Sequence, residues 1–152
     1  MRIILVAAAL AVAGVGCAGA AKAPSPKVDA HVVPLTIATA TRKHAFAVEV
    51  AQTNAQQERG LMFRKHLSPD RGMIFPMVPA RYASFWMKNT LIPLDLIFIR
   101  FDGTIARIAA RATPQSLEPI SSGEPVAAVL EIPGGRAAQL GISNDDRVIW
   151  AH

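Results

Sequence analysis

Cysteine is nearly absent from this sequence. The 152 residues include only one, Cys17, close to the N-terminus. No disulfide can therefore form within the chain. The sequence after Cys17 contains no thiol, which excludes a cysteine nucleophile from the body of the protein.

The common catalytic signatures are missing as well. The sequence has no Gly-x-Ser-x-Gly elbow, no phosphate-binding loop and no His-Glu-x-x-His pair, and each of these supplies a specific chemistry. The four histidines lie far apart, at His31, His44, His66 and His152. Because zinc sites need closely spaced ligands, we expect neither a metal site nor a cofactor.

Long hydrophobic runs are missing except at the N-terminus. Residues 1–16 join a short positive start to an apolar, alanine-rich run, which is typical of a secretory signal and shorter than the ~20 residues of a membrane-spanning helix. Val15-Gly16-Cys17 resembles the bacterial lipoprotein cleavage box, which predicts lipidation of Cys17. The alternative is an ordinary cleaved signal. Ala18 favours the outer membrane if the organism is Gram-negative, because inner-membrane lipoproteins commonly carry Asp there.

Residues 17–34 contain three prolines among alanine, glycine and lysine, which predicts an extended tether between a lipid anchor and a domain at 35–152. The net charge of +5 is spread along the chain, so we expect no nucleic-acid partner. The sequence leaves the oligomeric state open. It predicts a location on the periplasmic side of a membrane, with the lipid anchor as the membrane contact.

Short alternating runs dominate the predicted domain and indicate strands. The predicted strands are Leu35–Thr39, Phe46–Val50, Met73–Phe75, Ser84–Met87, Leu96–Phe101, Ile105–Ala109, Val126–Ile132 and Arg147–Trp150. Asp102-Gly103 is a favoured two-residue hairpin turn. Helix is expected only at Asn54–Leu61 and Arg136–Leu140. The pattern predicts a mainly β fold, a small jelly-roll-like sandwich or barrel with one or two short helices.

Three separated blocks carry a family resemblance. They are Arg59 to Arg64, Phe85 to Asp95, and Val129 to Ile142 with its paired glycines. Together they resemble the bacterial and archaeal family called domain of unknown function 192. The resemblance implies a small, mainly β domain and no established substrate. The family's usual Gly-Asp near the end is replaced here by Asn144-Asp145-Asp146, whose side chains tolerate a left-handed turn.

The middle of the chain suggests a ligand-binding groove. Trp86, Lys88 and Asn89 would supply an aromatic platform, a cation and an amide, a set that suits a small polar ligand or a glycan of the cell envelope. Glu131 is a candidate carboxylate for the same groove. In the alternative interpretation these residues have only structural roles: Trp86 belongs to the core, and Asn89 stabilises a loop through hydrogen bonds to its backbone.

Arg59 and Asp95 have two interpretations. In the first, they form a bidentate ion pair that holds the first helix to the sheet, and in the second, they belong to the ligand site. A second hypothesis is a hydrolase that uses Asp95 and Glu131 as its two carboxylates.

A third hypothesis concerns thioether ligands. All the methionines after the signal lie in one segment, at Met62, Met73, Met77 and Met87, and in this hypothesis they bind Cu(I) or a protein partner. Gap-filling in a small core is the favoured interpretation.

Overall fold

The computed structural model describes residues 31–151. The predicted signal, Cys17 and nearly all of the predicted tether lie outside the described residues. The described part has seven strands and two short helices: β1 Val32–Ala38, β2 Lys43–Val50, α1 Asn54–Arg59, β3 Arg71–Phe85, β4 Leu94–Ile99, β5 Ile105–Ala112, β6 Ile120–Pro133, α2 Arg136–Leu140 and β7 Arg147–Trp150. Neither helix is long and apolar enough to cross a membrane.

The strands form one curled sheet, a half-barrel, in the order β5-β4-β6-β3-β2-β1-β7. All neighbours are antiparallel except β2 and β3, which run parallel and are joined through α1. The two ends of the sheet approach each other at a single bridge between Thr104 and Arg147. The prediction of a mainly β fold with two short helices is confirmed.

Core side chains cover both faces of the sheet. All six residues of β4 are buried, and they point alternately to the two faces. Ile97 and Leu130 lie with Ala137 of α2 on the side that we call the α2 face. Leu96 and Val129 lie on the opposite side, which we call the groove face. Each fully buried side chain of this kind stabilises the fold by ~1.5–3 kcal/mol.

Local signals set the helix ends. Thr53 accepts a hydrogen bond from the Gln56 backbone N–H, and the Gln56 side chain accepts one from the Thr53 backbone N–H, which completes a capping box. Helix α1 ends at Arg59 because Gly60 takes a positive φ of 46°. A Cβ at position 60 would lie 3.4 Å from the ring of Phe75, an ordinary van der Waals contact, so the backbone conformation and not the space favours glycine here. Helix α2 has the predicted bounds.

Most predicted strand bounds differ from the observed ones by several residues, and α1 ends at Arg59 and not at the predicted Leu61. The predicted strand Met73–Phe75 and the first two residues of the predicted strand Ser84–Met87 belong to one long strand, β3, which ends at Phe85 and whose register against β6 shifts twice. Strand β1 begins at Val32, so it includes Pro34 from the predicted tether. Pro34 pairs only with β2, since β7 joins β1 from Leu35 onward. Proline is tolerated there because one side of the strand has no partner.

Both turns form at the predicted places, but the hairpin loop has three residues and not the predicted two, because the N–H of Arg100 donates to the carbonyl of Thr104. Gly103 takes a φ of 85° in the hairpin between β4 and β5, and its N–H donates to the carbonyl of Arg100. Asp145 takes the left-handed φ of 68° in the turn before β7, so the family's glycine is replaced without loss of the turn.

Candidate ligand-binding groove

A groove of about 630 Å³ lies on the groove face of the sheet. One wall is α1 with the residues that follow it, a second is the outer part of β3, and the third is the loop after β3. Residue Glu131 of β6 also lines it. Phe75 and Phe85 supply apolar surface, with their rings packed edge to face at a centroid distance of 5.1 Å. A concave site of this size with apolar walls and few polar groups is typical of small-molecule binding.

Trp86 lines this groove and is 50% exposed. Its neighbour Met87 points the other way and is buried, since side chains alternate along an extended chain. The Nζ of Lys88 lies 5.0 Å from the centre of the Trp86 ring, within the range of a cation–π contact. Trp86 is therefore not a core residue, and Lys88 stands beside it as the sequence suggested.

Asn89 joins the loop to the segment after α1. It takes a φ of 56°, a left-handed conformation that asparagine tolerates. Its carbonyl accepts a hydrogen bond from the N–H of Phe63 at 2.8 Å, and its amide nitrogen lies 3.8 Å from the sulfur of Met62. Asn89 thus folds the loop and also lines the groove.

Three cations line the groove: Arg59, Arg81 and Lys88. The guanidinium of Arg59 lies 6.0 Å from the centre of the Phe63 ring. Among residues 31–151, the arginine and lysine ion pairs involve only Arg64 and Arg100. The groove cations therefore have no carboxylate partner in the described part of the chain.

Glu131 is 5% exposed, yet it lines the groove. Its neighbours on the adjacent strands are Met73 and Leu96, which are both buried and apolar. No group within residues 31–151 donates a hydrogen bond to its carboxyl. Burial in these surroundings raises the pKa of Glu131 to about 8, because desolvation disfavours the charged form. A pKa of about 8 favours the protonated carboxyl at neutral pH, a form that can donate a hydrogen bond.

Asp95 lies away from the groove, and the predicted Arg59–Asp95 ion pair is wrong. Asp95 is fully buried. One carboxylate oxygen accepts hydrogen bonds from the N–H groups of Arg111 at 2.8 Å and Gly135 at 2.7 Å. The other accepts from the N–H of Ala137 at 2.9 Å. Asp95 thus caps α2 and ties it to β4, which is a structural role.

The hydrolase hypothesis needs Asp95 and Glu131 in one site, and the structure separates them. Asp95 alternates with Leu96 and shares the α2 face with Ile97. Glu131 alternates with Leu130 and shares the groove face with Val129. The two carboxyls therefore point to opposite faces of the sheet, so they cannot act together on one substrate.

The methionines are mainly core residues. Met73, Met77 and Met87 pack into the cluster on the groove face and are at most 6% exposed. Only Met62 and Met77 reach the groove lining. This placement matches the gap-filling interpretation. The described residues contain no group of three or more His, Cys, Asp and Glu side chains that could hold a metal ion.

Five of the six residues proposed from the sequence line this groove: Arg59, Trp86, Lys88, Asn89 and Glu131. Sequence reasoning missed Arg81. It lies in β3 between the two register shifts, so simple strand alternation cannot assign its face. The sequence spacing between Arg81 and Trp86 therefore could not predict that the two side chains line the same groove.

The chain belongs to the family of domain of unknown function 192, described as an uncharacterized ACR, whose family model matches residues 36–150. A solved protein of unknown function from Novosphingobium aromaticivorans is 44% identical, with a TM-score of 0.79, and the match covers 91% of this chain and all of that one. A putative transcription regulator from Sinorhizobium meliloti is 42% identical, with a TM-score of 0.80, over 82% of this chain and 98% of that one. No curated protein matches.

Proposed function

We propose that this domain binds a small polar ligand, of the size and character of a sugar or a fragment of an envelope glycan, in the groove beside Trp86. The observation that carries the proposal is the placement of Trp86. A large aromatic side chain with half of its surface in solvent lines a concave site, next to a cation and a buried carboxyl.

The arrangement suits a flat, hydroxylated ligand. An indole face packs against the apolar face of a sugar ring, and the groups around it can bond to the hydroxyls. The side chains of Lys88 and Arg81 can donate hydrogen bonds to the ligand, and that of Asn89 can both donate and accept them. Protonated Glu131 can donate one more. Glu131 lies in the regularly paired part of β3 and β6, and Asn89 is held by the hydrogen bond between its carbonyl and the N–H of Phe63.

Packing alone does not account for Trp86, since a core tryptophan would be largely covered. A scaffold would also have no need for Glu131, because an unpaired buried carboxyl destabilises a fold. Groups that weaken a fold and line a cleft are typical of binding or catalytic sites.

Calorimetric titration with a panel of small sugars, both neutral and acidic, tests the proposal. We expect saturable binding of at least one sugar and its loss in Trp86→Ala. The matched control is Tyr82→Ala, which removes an aromatic side chain that is 68% exposed but is absent from the groove lining. Equal affinities of wild type and Trp86→Ala, or no binding at millimolar concentrations, would reject the proposal.

We further propose that the domain is exported and held at the cell envelope by a lipid on Cys17. The support is the signal-like segment at residues 1–16 and the single cysteine that follows it. The predicted tether would place the groove close to a membrane surface, where envelope glycans are within reach.

A further inference from the structure

Cations outnumber anions around the groove. Arg59, Arg81 and Lys88 line it without carboxylate partners in the described part of the chain, while Glu58 is the one other charged residue in the lining besides Glu131. When Glu131 is protonated, the lining carries a net charge of +2, three cations less Glu58. Cations gathered in a concave site raise the local concentration of anions.

Glu131 fits the same ligand chemistry. Its carboxyl is 5% exposed, lines the groove and has no hydrogen-bond partner within residues 31–151. In its protonated form it can donate one hydrogen bond to an oxygen acceptor, and an O–H donor gives its strongest hydrogen bonds to charged oxygens. In its ionised form the same group would repel an anion.

We infer that the ligand carries an anionic group, a carboxylate or a phosphate, which Arg59, Arg81 and Lys88 bind while the protonated carboxyl of Glu131 donates to one of its oxygens. This inference rests on the proposed function, because it specifies the class of ligand that the groove accepts. Bidentate binding to a carboxylate or phosphate is the particular strength of arginine.

The arrangement makes binding depend on pH. The other charged residues of the groove lining are Glu58 and Arg59 from α1, Arg81 from β3, and Lys88 from the loop, while β4 contributes only apolar residues to this face. Glu131 itself changes its charge near pH 8, because burial raises its pKa to about 8. Affinity for an anion therefore falls as the pH rises through about 8, as the donor becomes a carboxylate.

A matched set of probes separates the possibilities. Glucose, glucuronate and glucose 6-phosphate share one ring and differ in the charged group, and inorganic phosphate carries the charge without the ring. We would measure their affinities by calorimetry in wild type, Arg81→Gln and Glu131→Gln. Arg42→Gln is the control, since Arg42 is an exposed arginine in the turn between β1 and β2.

We expect an acidic probe to bind at least about tenfold more tightly than glucose. Arg81→Gln should remove most of that difference, and Arg42→Gln should leave it unchanged. Preference between glucuronate and glucose 6-phosphate identifies the anionic group. Binding of phosphate alone, with the same loss in Arg81→Gln, also supports the anion site.

The pH arm uses glucuronate, whose carboxylate stays ionised throughout. Its affinity in wild type should fall about fivefold or more between about pH 7 and about pH 9, and Glu131→Gln should abolish that fall. Equal binding of glucose and the acidic probes would overturn this inference and leave the proposed function standing. A complete lack of binding by every probe would overturn both.

Discussion

The ammonium group of Lys88 lies 5.0 Å from the centre of the Trp86 ring, and both side chains line the same groove. The two residues are separated by Met87, which is 1% exposed and anchors this segment to the core. The buried methionine fixes the positions of its exposed neighbours. Trp86 and Lys88 can therefore change without loss of the core contact that holds them.

Trp86 and Lys88 should matter more for binding than for folding. Trp86→Ala is expected to lower the free energy of unfolding by only about 1 kcal/mol, because half of the side chain is exposed. Lys88→Ala should cost less than ~0.5 kcal/mol. Phe98→Ala, at a site with no exposure, is the comparison and should cost ~3–5 kcal/mol. Urea denaturation measures the free energy of unfolding of all three variants. A decrease for Trp86→Ala as large as that for Phe98→Ala would show that Trp86 is a core residue.

Asp95 should matter for folding and not for binding. Asp95→Asn exchanges one acceptor oxygen for an amide donor, so at least one of the three N–H groups bound to Asp95, two of them buried, loses its partner. The expected loss in unfolding free energy is ~2–4 kcal/mol. Asp70→Asn, an exposed control, should change it by less than ~0.5 kcal/mol. A large drop in sugar affinity for folded Asp95→Asn would contradict this assignment.

The stability of the wild type should depend on pH through Glu131. Its pKa is about 8 in the folded state, against 4.5 as the reference value. Between these values the folded state keeps a proton that the unfolded state releases. The free energy of unfolding therefore falls as the pH rises from about 4.5 to about 8, by at most ~1.4 kcal/mol per pH unit from this group.

Glu131→Gln removes that titration. The variant should be more stable than the wild type at pH 8, by roughly 2–4 kcal/mol, and the difference should shrink toward pH 4.5. Thermal and urea denaturation across this range provide the measurement. Glu118→Gln serves as the matched control, because Glu118 is exposed. Parallel pH profiles for wild type and Glu131→Gln would show that Glu131 titrates normally.

Lipidation of Cys17 has its own test. Mass spectrometry of the protein purified from its native membrane should find a mature chain that begins at an acylated Cys17. Cys17→Ser should release the protein into the soluble fraction, because acyl chains supply ~0.8 kcal/mol of membrane affinity per buried CH₂ group. A mature chain that begins beyond Cys17 would exclude the anchor.

The sequence by itself determined the features that depend on near neighbours. The capping box at Thr53 and Gln56, the position of the hairpin at Asp102-Gly103 and the bounds of α2 all agree with the prediction, because each rests on contacts within a few residues. The same holds for Trp86 and Lys88, which meet because they are close in the chain. A mainly β fold followed from the short alternating runs.

Only the tertiary structure decided which side chains share a site. Every residue of β4 is buried, so hydrophobic alternation could not tell which face Asp95 occupies. Its partners at Gly135 and Ala137 lie 40 and 42 residues away. Arg81 and Glu131 reach the groove through the β3–β6 pairing, whose register shifts depend on the folded sheet. Contacts at such separations follow from strand pairing across the whole sheet, which local sequence patterns do not encode.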